Sequence, residues 1–203
     1  MKRTTVFMAL AVAAAVLAAW QLQDSREQKA RIPDFPMKAL AHSSAIRAGM
    51  FVSRDGTITR YAVHVGPDAI PEWVSKMADE RIGKGEDVDY EMELYPDGSE
   101  VYEIYRLIDG REMQLSVQGD RNVKYIGRQV EEKDLPDRVG ATLRGIRTFL
   151  PEKIIIKEGP SFSEVQVRGR IGGVPHRVRI SGDGRLIALQ KKVPAEIELA
   201  IQE

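Results

Sequence analysis

The sequence predicts an α+β fold: two tandem repeats, each a helix followed by a four-stranded antiparallel sheet, preceded by an extra β-hairpin. Three observations predict it. A strand–glycine turn–strand–acidic link–helix start pattern recurs over 51–74, 115–139 and 178–201, with Val65, Val130 and Val193 at equivalent points. Two of these segments lead into amphipathic helices, and each helix is followed by apolar residues alternating with polar ones.

The chain opens with Met1-Lys2-Arg3 and then 15 uninterrupted apolar residues, Val6–Trp20. A membrane-spanning helix needs roughly 20. The run fits the apolar region of a signal peptide, with Ala18 and Ala19 as small residues for cleavage; the alternative is an uncleaved N-terminal anchor. Residues 1–19 are assigned to this segment and 20–45 to a polar linker. Either reading places the body outside the cytoplasm, in the periplasm or exterior, or anchored facing it.

The body divides into 46–130, the hairpin plus the first repeat, and 131–203, the second. The first helix is expected over about 71–82, with Pro71 in its first turn, Val74, Met77, Ala78 and Ile82 on one stripe, and Gly83 as its stop. The second is expected over about 136–150, with Val139, Leu143, Ile146 and Leu150 inward and Pro151 as its stop. Beyond each helix, Tyr102, Ile104, Leu115 and Val117, then Val165, Val167, Val178 and Ile180, fall at period two. Asp109-Gly110 and Gly172-Gly173 read as two-residue hairpin turns. A turn at Gly172-Gly173 sets Ile171 opposite Val174, Val167 opposite Val178 and Val165 opposite Ile180, so every apolar side chain lands on one face.

With Lys and Arg at 30 and Asp and Glu at 30, net charge is zero, which argues against a nucleic-acid-binding role. The charge is uneven. Residues 66–130 hold 15 acids against 8 bases, and 131–203 hold 11 against 13. No cysteine is present, which excludes disulfides, thiolate nucleophiles and cysteine-held metals. The three histidines, His42, His64 and His176, have no ligand-like spacing, and His64 and His176 read as packed strand residues. No nucleophile elbow, phosphate loop or HExxH motif occurs, so neither a catalytic residue nor a cofactor or metal site is assigned.

The run VYEIYRLIDGREMQLSVQGDRNVKYIGRQVEEKDLPDRV, residues 101–139, resembles the PepSY-like domains of exported bacterial proteins, whose fold is shared by β-lactamase-inhibitory proteins. The likeness lies in the Leu-Pro helix starts and the strand and turn spacing, and extends over roughly 66–203 as two copies. It implies an exported, non-catalytic protein that binds or inhibits another protein through its sheet faces. The alternative is an accessory or scaffold subunit of an envelope complex, anchored by its N-terminus. Two clusters are candidates for partner contact. On the outer face of the first repeat, Tyr105 and Leu107 are apolar where the second repeat has Arg168 and Arg170, and Trp73 occupies a helix position that reads as solvent-facing. On the second repeat, Arg168, Arg170, Arg177 and Arg179 share one face, with Arg168 directly opposite Arg177. The first cluster is expected to be covered by the 46–65 hairpin or the segment around Phe35, or by a partner.

Overall fold

A computed structural model describes Ala45 and residues 47–194, all within one compact unit. The N-terminal apolar segment, the linker, Phe35 and the last residues lie outside the described residues. Ten strands run in chain order and pair in that order into one antiparallel sheet: β1 (Arg47–Val52), β2 (Ile58–His64), β3 (Glu86–Leu94), β4 (Glu100–Ile108), β5 (Arg111–Gln118), β6 (Val123–Val130), β7 (Phe149–Glu158), β8 (Ser163–Ile171), β9 (Val174–Ser181) and β10 (Leu186–Lys191). Helices α1 (Glu72–Arg81) and α2 (Asp137–Gly145) interrupt it after β2 and β6.

This corrects the expected architecture. The strands are not two separate helix-plus-four-strand repeats. β6 pairs with β7 from Ile126↔Glu158 to Val130↔Ile154, and β2 pairs with β3 from Tyr61↔Leu94 to His64↔Glu91, so the ladder never breaks. The cause is legible locally. Lys153-Ile154-Ile155-Ile156-Lys157 is apolar on both faces: Ile154 and Ile156 sit under α2, while Ile155, 1% exposed, faces the other way. A strand that buries both faces belongs in the middle of a sheet, not at the edge of a repeat.

The register inside each hairpin follows the alternation. Ile171↔Val174, Gly169↔His176, Val167↔Val178 and Val165↔Ile180 pair as expected, as do Tyr102↔Val117 and Ile104↔Leu115. Gly172 and Gly173 have φ of 56° and 81°, the pair of left-handed residues a tight hairpin turn requires.

Each helix covers its own apolar cluster on one side of the sheet. Val74 and Ala78 of α1 meet Val63, Ile104, Leu115 and Val117. Val139 and Leu143 of α2 meet Val165, Val167, Val178 and Ile180. Fully burying one such aliphatic side chain contributes about 1.5–3 kcal/mol. α1 is also tied down by Arg106, only 4% exposed, whose guanidinium reaches Asp79 of the helix at 2.6 Å, Asp87 at 2.5 Å and the Gly83 carbonyl at 2.6 Å. α2 is shorter than expected. It ends at Gly145, and Phe149–Pro151 already belongs to β7. Leu150 precedes a proline, which disfavours helical backbone there. Phe149 therefore takes the core place expected of Leu150, which is 68% exposed. The Phe149 ring packs on Gly169, where a Cβ would come within 2.6 Å of Phe149 Cζ.

The sheet curls. At the usual strand spacing a flat sheet would hold β1 and β9 about 38 Å apart. The Arg177 guanidinium of β9 instead lies 5.3 Å from the centre of the Phe51 ring of β1. Both side chains point away from the helices, so the face opposite the helices is the inside of the curl.

Candidate binding site on the inner sheet face

The inner face is built from alternate residues of consecutive strands, and most are polar. Glu91, Glu93, Glu103, Glu112, Gln114, Ser116, Glu164 and Gln166 are all buried. Opposite charges that the sequence distributes between the two halves of the chain converge here. Burial of this kind is tolerated only where each charge finds a partner.

Most do. Arg60 pairs with Glu93 at 2.8 Å and Lys124 with the same carboxylate at 3.1 Å. Lys153 pairs with Glu112, and Arg179 forks onto Glu164 at 2.7 and 2.6 Å. Glu103, 3% exposed, accepts from the hydroxyls of Tyr105 at 2.7 Å, Tyr125 at 2.6 Å and Ser116 at 3.1 Å. Lys157 in turn donates to the Tyr125 hydroxyl at 2.6 Å. Burial alone would push the Glu103 carboxyl up. The charge of Lys157, the two tyrosine hydroxyls and Lys124 outweigh it and hold the group down at about 2.

His64 is not the packed apolar residue its strand alternation suggests. Its Nδ1 lies 2.9 Å from Asp89 and its Nε2 3.0 Å from Glu91, with Arg47 of β1 on the same Asp89 at 3.8 Å. Burial acts to lower its pKa, but Glu91 and Asp89 outweigh it and raise it above 6.5. The stability His64 contributes is therefore fully present below about pH 6.5 and is lost as pH rises through the raised folded value. In His64→Gln this pH-dependent loss is expected to disappear, as read by urea midpoints across pH 6–9.

Three described cations of the inner face make no ion pair with a carboxylate: Lys157, which donates to the Tyr125 hydroxyl, and Arg168 and Arg177. Arg168 and Arg177 are direct register partners on β8 and β9. Arg168 Nε is buried without a hydrogen-bond partner. Arg177 rests on the Phe51 ring. Burial first, then Arg168 beside it, pull the Arg177 guanidinium below its ordinary value. Like charges placed directly opposite each other in a sheet destabilise it by about 0.2–1 kcal/mol.

The expected clusters thus divide. Of the four arginines, Arg179 is neutralised by Glu164, and Arg170 by Glu152 at 2.6 Å with a further bond to the Gly173 carbonyl. Arg168 and Arg177 remain. Tyr105 is 5% exposed and committed to Glu103. Its burial comes from the curl, which brings the charge of Arg168 and Arg177 to bear on its hydroxyl. Leu107, at the end of β4, is 36% exposed. Trp73 is half-buried, with its ring 5.9 Å edge-on to Tyr102 and Arg121 5.4 Å above it. Sequence reasoning missed Arg60 and Phe51 as members of the inner face, and placed Glu103 on the side away from the helix without its role as acceptor for Tyr105, Tyr125 and Ser116. Strand alternation does place them on the side away from the helices, but which strands that side would meet depends on the curl. Among the described residues, no group of three or more His, Asp or Glu side chains is placed to hold a metal ion.

No family model and no curated protein matches the chain. Solved structures do show similarity. A DUF2874 family protein from Bacteroides uniformis shares 12% identity over 60% of this chain and 89% of its own, with a TM-score of 0.46. A putative periplasmic protein from Bacteroides eggerthii shares 9% identity over 60% and 88%, at 0.47. A BLIP-like protein from Bacteroides fragilis shares 15% identity over 64% and 93%, at 0.44. None of these distant likenesses assigns a family or a function to the chain.

Proposed function

We propose that this chain is a non-catalytic binding protein, exported from the cytoplasm, that engages an acidic segment of another protein through the inner face of its sheet. The observation that carries this reading is the pair Arg168 and Arg177, which face each other across two strands with no carboxylate of their own while Arg60, Arg170 and Arg179 are each paired with a glutamate. The planar guanidinium fork binds carboxylate through two parallel hydrogen bonds, and two such forks side by side fit an acidic segment. Leu107, on the same face of β4 as Tyr105, supplies accessible apolar surface, whereas Trp73, on α1 against Tyr102, lies on the opposite side of the sheet. Export is supported by the basic start and short apolar run of the first 20 residues.

The double substitution Arg168→Gln/Arg177→Gln tests it. The fold should survive, because neither guanidinium holds an internal ion pair. Capture of the partner from envelope extract, and then its binding as a purified protein, should weaken about tenfold or more. The wild-type interaction should fade as salt rises through 0.1–1 M, and that dependence should shrink in the variant. Unchanged capture with unchanged salt dependence would remove the arginine pair from the binding site.

A further inference from the structure

The arginine pair is not open. Phe51 rests on one of its members: its ring centre lies 3.7 Å from the Arg60 guanidinium and 5.3 Å from that of Arg177. Phe51 belongs to β1, which among the described residues is the first strand of the sheet and pairs with β2 alone. The register of that pairing shifts between Phe51 and Val52, so the strand is already irregular where the ring enters. On either side of Phe51, Met50 and Val52 are 48% and 51% exposed, while the start of the strand is held by Arg47 on His64 and Asp89. A ring in contact with two guanidinium groups is a built aromatic slot, because each cation is drawn to the negative face of the ring. Directly beside the slot stands Arg168, with its buried Nε unpartnered.

We infer that the partner's recognition element is a segment carrying an aromatic residue next to a carboxylate, and that Phe51 holds the aromatic slot until that segment arrives. This rests on the proposed function above and names the chemistry of its partner. The incoming ring replaces Phe51 against Arg60 and Arg177. The adjacent carboxylate forks onto Arg168 and supplies the acceptor its Nε lacks. Arg60 stays neutralised by Glu93 throughout, so the incoming carboxylate is directed to the arginine pair rather than to Arg60. Charge complementarity selects this occupant: a neutral aromatic segment would leave the two facing guanidinium groups unmatched, and a purely acidic one would leave the slot to Phe51.

The test titrates the full chain with a short synthetic peptide of Gly and Ser carrying one Glu-Phe pair. Matched peptides replace the Phe by Ala or the Glu by Gln. Wild type should bind the Glu-Phe peptide more tightly than either control. Phe51→Leu keeps an apolar residue on β1 but frees the slot, and should tighten binding of the Glu-Phe peptide about fivefold, the equilibrium equivalent of one cation–π contact. It should leave the Ala control unchanged. Arg177→Gln should abolish the advantage of the Phe, and Arg168→Gln the advantage of the Glu. If Phe51→Leu, folded by circular dichroism, binds the Glu-Phe peptide no better than wild type does, the slot is structural only and the inference fails. If the Glu-Phe and Glu-Ala peptides bind equally, recognition of acid stands and this inference falls. If no peptide binds in a manner that depends on Glu, both readings fall.

Discussion

Replacing Glu103 by Ala is expected to destabilise the protein by about 3–5 kcal/mol, the range for removing one partner of a buried, hydrogen-bonded charge. Its carboxylate is the acceptor for Tyr105, Tyr125 and Ser116, and its charge faces Lys157. Without it, three buried hydroxyls lose an acceptor and Lys157 is left among Arg177 and its neighbours. The same group sets an acid limit. Its folded pKa, about 2, lies below the ordinary 4.5, so its contribution is complete above about pH 4.5 and is lost as pH falls through 2. Urea unfolding of wild type and variant between pH 2 and 7 measures both effects. A destabilisation below 1 kcal/mol at pH 7 would show that the inner face does not depend on this carboxylate.

Cutting the chain between residues 130 and 131 is expected to leave neither half folded alone. Each half would keep a helix and its apolar cluster but would lose the β6–β7 ladder and uncover half of a buried charged face. Glu103 would lose Lys157, Glu112 would lose Lys153, and Ile155 would be left exposed on a new edge strand. Exposed strand edges of this kind favour aggregation over folding. Separate expression of 46–130 and 131–203, followed by near-ultraviolet circular dichroism and amide dispersion, tests this. Two folded fragments would restore the two-repeat description that the continuous ladder contradicts. The intact chain should unfold in one transition, with tyrosine fluorescence and far-ultraviolet ellipticity coinciding.

How far the sequence could be read depends on which interactions were local. Hairpin registers were legible because a turn fixes pairing and a one-residue slip would turn every apolar side chain outward; Val167↔Val178 and Ile104↔Leu115 follow from that alone. The continuity of the sheet was not legible, because β6 and β7 are separated by α2 and no turn signal joins them. The β7 strand was itself obscured: three isoleucines in a row show no alternation, and Leu150 mimics the end of a helical stripe. The opposition of Arg168 and Arg177 was legible from register. That they would lie inside a curl, with Phe51 above one of them, required strands eight apart to meet, and no periodicity encodes such a contact. Arg106 was hidden for the same reason, since its partners Asp79 and Asp87 come from different elements.

The contact between Phe51 and Arg177 also limits how this architecture can be lengthened. A flat sheet can accept another hairpin at either edge without consulting the rest of the molecule. In this one, side chains of the first and ninth strands already meet, so a strand added beside β1 on the inner side would have to displace the Phe51 ring from its two cations. Insertions are expected to be tolerated at exposed hairpin turns such as Asp97-Gly98 or Gly172-Gly173, and resisted at the lip of the curl. Curvature thus bounds how many strands the described sheet can carry.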